Sequence, residues 1–360
     1  MHDPLRFVRP DFRDLDEYVP VKPLDVLARE IGVPVERLVK LDANENLYGA
    51  PKAVFDAIAG ADLHIYPDPA QTALREAIGE YVGVSPEQVV AGAGSDDLID
   101  IIIRLVLPKA TVSAPPTFGM YRFLSSIAGA EHVEVPRRPR FEVDLEGIEA
   151  AVRGGASIVF LPSPNNPTGN TLTRAELQAA CEFDALVVVD EAYAEFSGTS
   201  YAGDVARYPN LVVLRTFSKW AGLAGLRVGY AVCHPDLASR MMTIKQPYNV
   251  NVAADVAARA AIAHRGEIME TVRCLVAERE RLARELAEFD WLEPVPSEAN
   301  FVLVRVTGRP AAEVAAGLRR QGVLVRYYDR PDLRGYIRIS AGRPEDTDRL
   351  LEALRNVGQV

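Results

Sequence analysis

Five short runs of apolar, mostly β-branched residues (88–91, 157–161, 185–189, 211–214 and 228–232) each end abruptly in polar or glycine-rich residues. Helical patterns such as 96–106 and 173–181 lie between them. Continuous apolar runs of this length fit strands covered on both faces, and strands alternating with helices build a mostly parallel α/β sheet. In such a sheet the chemistry gathers beyond the carboxyl ends of the strands, so the polar residues that terminate these runs are the first candidates for function.

The pattern changes after residue 252. Residues 253–263 are alanine-rich, and Ile268, Val272, Leu275, Val276, Leu282 and Leu286 then recur at three- and four-residue spacing, as on long amphipathic helices. Further on, three strand-like runs (300–306, 323–327, 336–340) surround helical segments at 311–320 and 345–356. With 360 residues, enough for about two domains, the chain is expected to form a large α/β domain over residues 36–252. A smaller α+β domain would comprise residues 253–360 together with an N-terminal arm over 1–35, whose Pro20, Pro23 and Pro34 suit a segment packed on something else.

Composition removes several classes. At 48% hydrophobic and 25% charged residues, the chain is neither disordered nor fibrous. The net charge of −10 opposes phosphate backbones and anionic lipid, and the basic cluster Arg137, Arg138 and Arg140, broken by Pro139, reads as a solvated loop. Three scattered cysteines, an N-terminus without an apolar signal core and no apolar run near ~18 residues point to a reducing cytoplasm. The five histidines stand singly, so no metal is expected.

Four strand ends carry unusual polar residues. Gly92-Ala93-Gly94-Ser95-Asp96-Asp97 leads from a strand into a helix, which suits either an anion against unpaired amides or a plain N-cap. Ser163-Pro164-Asn165-Asn166-Pro167-Thr168-Gly169 is a loop stiff enough to hold an asparagine amide in one orientation, although a simple turn would have the same composition. Asp190, at the end of a run that should be deeply buried, needs a cationic partner, for which a protonated heterocyclic nitrogen would serve. Ser218-Lys219, followed by Arg227, suits an anion clamp, a Schiff-base lysine or a surface lysine.

Taken together, Asn165-Asn166-Pro167-Thr168-Gly169, Asp190-Glu191-Ala192-Tyr193, Ser218-Lys219 and Gly225-Leu226-Arg227 resemble the fold type I pyridoxal-phosphate aminotransferases in order and separation. Leu41-Asp42-Ala43-Asn44-Glu45-Asn46, Tyr66-Pro67-Asp68, the segment 116–121 and Lys245-Gln246-Pro247-Tyr248-Asn249 narrow the resemblance to the histidinol-phosphate aminotransferases over nearly the whole chain. Two stretches, 106–114 and 181–185, are shorter than is usual in that family.

The resemblance implies pyridoxal 5'-phosphate as cofactor. Lys219 matches the lysine that binds it covalently and shuttles the substrate proton, and Asp190 matches the partner of the ring nitrogen. Tyr193 and Asn166 match donors to the phenolic oxygen, and Phe118 the ring stacked on the pyridine. Ser95, Asp96, Ser218 and Arg227 match the phosphate cradle, and Tyr66 a residue arriving from the second subunit of a homodimer with shared active sites. Arg338 and Arg326 match the groups that hold the substrate anion, with Asn46 and Tyr18 as further substrate contacts. The implied reaction moves the amino group of L-histidinol phosphate to 2-oxoglutarate, giving imidazole-acetol phosphate and L-glutamate in L-histidine biosynthesis. Aromatic amino-acid transamination is the nearest alternative, followed by threonine-phosphate decarboxylation. A non-catalytic effector-binding protein fused to a DNA-binding module fits poorly, because too little chain precedes residue 41 for a helix-turn-helix and the charge is negative.

Overall fold

The computed structural model describes residues 3–12 and 22–358. Among them, twelve strands occur in chain order: β1 Val39–Leu41, β2 Val89–Gly92, β3 Ala110–Ser113, β4 Glu131–Glu134, β5 Ala156–Pro162, β6 Leu186–Asp190, β7 Leu211–Thr216, β8 Gly229–Cys233, β9 Leu292–Pro294, β10 Phe301–Val306, β11 Val323–Tyr327 and β12 Tyr336–Ser340. Seven form one sheet in the order β2-β8-β7-β6-β5-β3-β4, in which β8 runs antiparallel to both neighbours and the pairs from β7 to β4 are parallel. Val187, Val188 and Val189 and their neighbours in β5 and β7 have no exposed surface. Helices cover both faces of the sheet, which is why these strands read as unbroken apolar runs rather than alternating ones.

The smaller sheet has the order β1-β11-β12-β10-β9. Its core of Val39, Leu41, Val302, Val304, Ile337 and Ile339 is separate from that of the large sheet. The expected divisions at residues 36 and 252 do not follow this packing. β1 pairs in parallel with β11, so residues 39–41 belong to the small sheet although 250 residues separate them from its next strand, β9. Conversely, Ala254, Ala257, Ala258 and Ala261 of the helix Val252–Ala263 pack into the large core, as do Ile268, Val272 and Leu275 of the next helix. That helix, Arg265–Ala287, then delivers Leu282 and Leu286 to the small core. Its apolar stripe is continuous, and periodicity reports a buried face without saying against which domain it is buried.

The two stretches expected to be short are closed by local contacts. The helix Ser95–Val106 stops at Leu107, in the left-handed conformation (φ 47°), and β3 starts three residues later. Asn210 Nδ2 donates to the carbonyls of Cys181 and Ala185, each at 3.0 Å, and so pins the trimmed turn after the helix Arg174–Cys181. The basic cluster is not uniformly solvated. Arg138 and Arg140 are exposed, but the Arg137 guanidinium turns inward and donates to the carbonyls of Ala114 at 3.0 Å and Phe141 at 2.9 Å. In the N-terminal arm, Arg9 Nη1 donates to the Ile127 carbonyl at 2.9 Å, and Glu30 of the helix Leu24–Ile31 pairs with Arg319 of the small domain at 2.6 Å. No described helix is long and apolar enough to cross a membrane.

Candidate active site

The carboxyl ends of β5, β6 and β7 lie side by side, with Pro162 opposite Asp190 and Asp190 opposite Leu214. Above them opens a cavity of about 1120 Å³ whose far wall is the small sheet. Ser95, Asp96, Phe118, Asn166, Asp190, Tyr193, Ser218, Lys219, Arg227, Arg326 and Arg338, expected from positions scattered over more than 240 residues, all line it.

Asp190 forms the buried floor. Its Oδ2 accepts from the Tyr121 hydroxyl at 2.8 Å and its Oδ1 from the Ala192 amide at 3.0 Å. Among the described residues no cation pairs with it. The nearby guanidinium of Arg215 instead serves Glu195, at 2.6 Å, on the other side of the strand. Burial therefore pushes Asp190 up to about 6 despite those two hydrogen bonds. A buried carboxylate of this kind costs free energy until a cation arrives.

Lys219 Nζ stands 6.0 Å from the centre of the Tyr193 ring and donates to the Ala43 carbonyl at 3.1 Å. Desolvation, and then the positive charge of Arg338, push it down to about 8. A lysine held this low is partly unprotonated near neutrality, as a nucleophile or a general base requires. Tyr193 is pushed up to about 12 by burial, with Arg338 and a hydrogen bond from Asn44 acting against that rise. It remains a phenol, able to donate, at neutral pH.

At the other end of the floor, the amino terminus of the helix Ser95–Val106 meets Arg227. Arg227 Nη2 lies 3.1 Å from Asp96 Oδ2, and Nη1 reaches Ser218 Oγ at 3.5 Å. Two glycines keep this corner open. A Cβ on Gly94, whose φ is 86°, would come within 2.5 Å of Arg227 Nη2, and one on Gly229 within 2.9 Å of the Ser95 amide. A helix amino terminus, a guanidinium and a hydroxyl around a space reserved by glycine suit an anion.

The loop after β5 divides its two asparagines. Asn165 is wholly buried, donating to Pro116 O at 3.0 Å and accepting from Thr117 at 2.8 Å. Asn166 faces the cavity, where its Oδ1 accepts from Arg338 Nη1 at 2.6 Å. Arg326 and Arg338 are cross-strand partners on β11 and β12. Both face the cavity, and their guanidinium carbons lie 5.4 Å and 5.9 Å, respectively, from the centre of the Tyr328 ring.

Two expected residues stand elsewhere. Asn46 does not enter the cavity: Nδ2 donates to the Trp220 carbonyl at 2.9 Å and to Thr271 at 3.2 Å, while Oδ1 accepts the Tyr48 amide at 3.0 Å. Its amide joins the loop to Trp220 and to the helix Arg265–Ala287. Tyr66 is 77% exposed, stacked on Tyr248 at 4.5 Å, and does not line the cavity of its own chain. Tyr18 lies outside the described residues. Tyr121 and Asn44, by contrast, contact the site without having been singled out. Both stood inside motifs quoted for the resemblance, yet a Tyr in a helix and an Asn in a loop carry no spacing signal of their own.

A low-lying lysine, a buried carboxylate lacking a cation and a glycine-gated anion cradle define an α/β enzyme that handles a carbonyl group with an anionic, aromatic cofactor. The aminotransferase class I and II family matches residues 36–354, and the chain belongs to that family. It is 50% identical to the histidinol-phosphate aminotransferase of Roseiflexus castenholzii, over 97% of this chain and 98% of that one. It is 45% identical to histidinol-phosphate aminotransferase 1, chloroplastic, of Arabidopsis thaliana, over 97% and 85% of the respective chains. Among solved structures, the histidinol-phosphate aminotransferase of Sinorhizobium meliloti in complex with pyridoxal-5'-phosphate superposes with a TM-score of 0.88 at 31% identity, covering 98% of each chain.

Proposed function

We propose that this chain is a homodimeric, cytoplasmic, pyridoxal-phosphate-dependent enzyme that transfers the amino group of L-histidinol phosphate to 2-oxoglutarate, in L-histidine biosynthesis. The observation that carries the reading is the Arg326 and Arg338 pair across the cavity from Lys219 and Asp190. Two arginines lining one cavity suit a phosphate dianion, and one of them suffices for a carboxylate of the second substrate.

The cavity fits the cofactor. Asp190 would receive the ring nitrogen as the cation it lacks, Phe118 would lie against the ring, and Tyr193 and Asn166 would face the phenolic oxygen. The amides of Ser95 and Asp96, with Ser218 and Arg227, would hold the phosphate. Pyridoxal phosphate bound there supplies a carbonyl carbon for the amino group and a conjugated ring that absorbs the electron pair freed at the substrate carbon. The chain's own part is positional and acid–base. Lys219 Nζ, which burial pushes down to about 8 in the empty site, would take the proton from the substrate carbon and hold it for return. Arg338 and Arg326 fix the substrate so that the bond to be broken faces Lys219.

The test is a single-turnover absorbance experiment on the cofactor-loaded protein, mixed separately with L-histidinol phosphate, L-phenylalanine and O-phospho-threonine. Rapid conversion by histidinol phosphate, at least about tenfold faster than by phenylalanine, is expected from the added phosphate contacts. Equal or faster conversion by phenylalanine makes the enzyme an aromatic aminotransferase, and carbon dioxide released from O-phospho-threonine makes it a decarboxylase.

Dimerisation has its own test. If Tyr66 completes the partner's site, a one-to-one mixture of refolded Tyr66→Ala and Lys219→Ala chains, each inactive alone at limiting cofactor, regains about a quarter of wild-type activity. Half of the dimers are then mixed, and each mixed dimer has one intact site. No regain places Tyr66 outside the shared site.

A further inference from the structure

Asn44 is 1% exposed and has a φ of 55°, a left-handed conformation at a residue other than glycine. Its backbone amide donates to Ser340 Oγ at 2.9 Å, its Oδ1 accepts from the same hydroxyl at 2.8 Å, and its carbonyl accepts from Asn300 Nδ2 at 3.1 Å. Ser340 ends β12 and Asn300 precedes β10, so these three bonds tie the residue to the small sheet. The fourth crosses to the large domain: Asn44 Nδ2 donates to the Tyr193 hydroxyl at 3.0 Å. The direction of that bond follows from the others. Ser340 Oγ accepts from the Asn44 backbone and has one proton to give, which goes to Oδ1, leaving the NH₂ end for Tyr193.

A phenol that accepts from Asn44 keeps its own proton for a different acceptor. Among the described residues no hydrogen bond takes that proton. The ring sits edge-on to Phe301, and the charged and titratable groups around it are Lys219, Arg338, Asp190 and Tyr328. We infer that Asn44 is a positioning residue: by filling the acceptor side of the Tyr193 hydroxyl, it aims the phenolic proton into the cavity, at the phenolic oxygen of the bound cofactor. The identity of that ligand rests on the function proposed above. Because Asn44 is seated on Ser340 and Asn300, the aim of Tyr193 is also tied to the place of the small sheet.

Two substitutions separate aiming from support. Asn44→Gly keeps the left-handed backbone at no cost and deletes the amide, and Asn44→Asp keeps the shape but turns the donor toward Tyr193 into an acceptor, which recaptures the phenolic proton. The measurement is a pH titration of the visible absorption band of the pyridoxal-phosphate-loaded protein, alongside the dissociation constant for pyridoxal phosphate. A weaker donor at the phenolic oxygen should raise the midpoint by about half a pH unit in Asn44→Gly and by about one or more in Asn44→Asp. The phosphate cradle is untouched, so the dissociation constant should stay within about threefold. A midpoint equal to wild type in both variants overturns the inference, as does weaker cofactor binding with an unmoved midpoint, which would assign Asn44 a purely structural role. If the wild-type protein itself develops no visible band with pyridoxal phosphate, the proposed function falls and the inference with it.

Discussion

Lys219→Ala should lower turnover of histidinol phosphate by about 10⁴-fold or more, because one amine serves as nucleophile and as the base at the substrate carbon. Cofactor binding should survive, since Ser95, Ser218 and Arg227 are unchanged, but covalent retention after borohydride treatment should vanish. Glutamate formation and intact mass measure the two effects. The same variant carries a signed prediction about stability. Lys219 is pushed down to about 8 in the folded protein, whereas an unfolded lysine titrates near about 10.4. Below about 8 both states hold the proton and the full cost of the buried cation is present. Between the two values the unfolded chain binds a proton that the folded chain has lost, so stability rises with pH across that window. Cofactor-free Lys219→Ala should thus melt above wild type at pH 7, with the gap closing toward pH 10. A variant that keeps more than about a hundredth of the activity would remove Lys219 from the chemistry.

Both halves of this prediction depend on residues whose identity as a site was legible only in part. Asp190 is conspicuous because a carboxylate at the end of Val187-Val188-Val189 violates the energetics of burial, and among the described residues no cation pairs with it. The strand ends Gly92, Pro162, Asp190 and Thr216 were legible as one edge because parallel strands align their carboxyl ends. What spacing could not supply was the third dimension within a loop. Asn165 and Asn166 are adjacent and chemically identical, yet one braces the loop inside and the other meets Arg338. Asn46 and Asn44, two residues apart, exchange roles in the same way: the expected one is consumed by Trp220 and Thr271, and the other reaches Tyr193. Side chains alternate along a loop according to backbone turns that hydrophobic periodicity does not encode. Packing crosses the expected division at residues 36 and 252 for a related reason. A three-residue strand such as β1 is too short to declare its sheet, and the long helix Arg265–Ala287 buries one continuous stripe against two cores in succession.

Asp190→Asn should separate the demands of function from those of folding most sharply. With pyridoxal phosphate present, the ring nitrogen loses its counter-ion, and turnover is expected to fall by about 10³-fold with cofactor affinity down by about tenfold. Without cofactor the sign reverses. Burial pushes Asp190 from the ordinary 3.8 up to about 6, so within that window the folded chain binds a proton that the unfolded chain has released, and the stability of the empty protein falls as pH rises. Above about 6 the whole penalty of an unpaired buried carboxylate stands. Asparagine removes it while keeping the shape: Oδ1 still accepts from the Ala192 amide, and Nδ2 donates to Tyr121, whose hydroxyl can turn from donor to acceptor. The cofactor-free variant should therefore melt above wild type at pH 8 and no differently near pH 4, while gaining less from added pyridoxal phosphate. Melting curves at the two pH values, with and without cofactor, read all of this. A variant less stable than wild type at pH 8 and unchanged in cofactor affinity would make Asp190 a structural acceptor for Tyr121. A variant stabilised when empty and crippled when loaded has exchanged a group that the fold tolerates only for the sake of the cation it awaits.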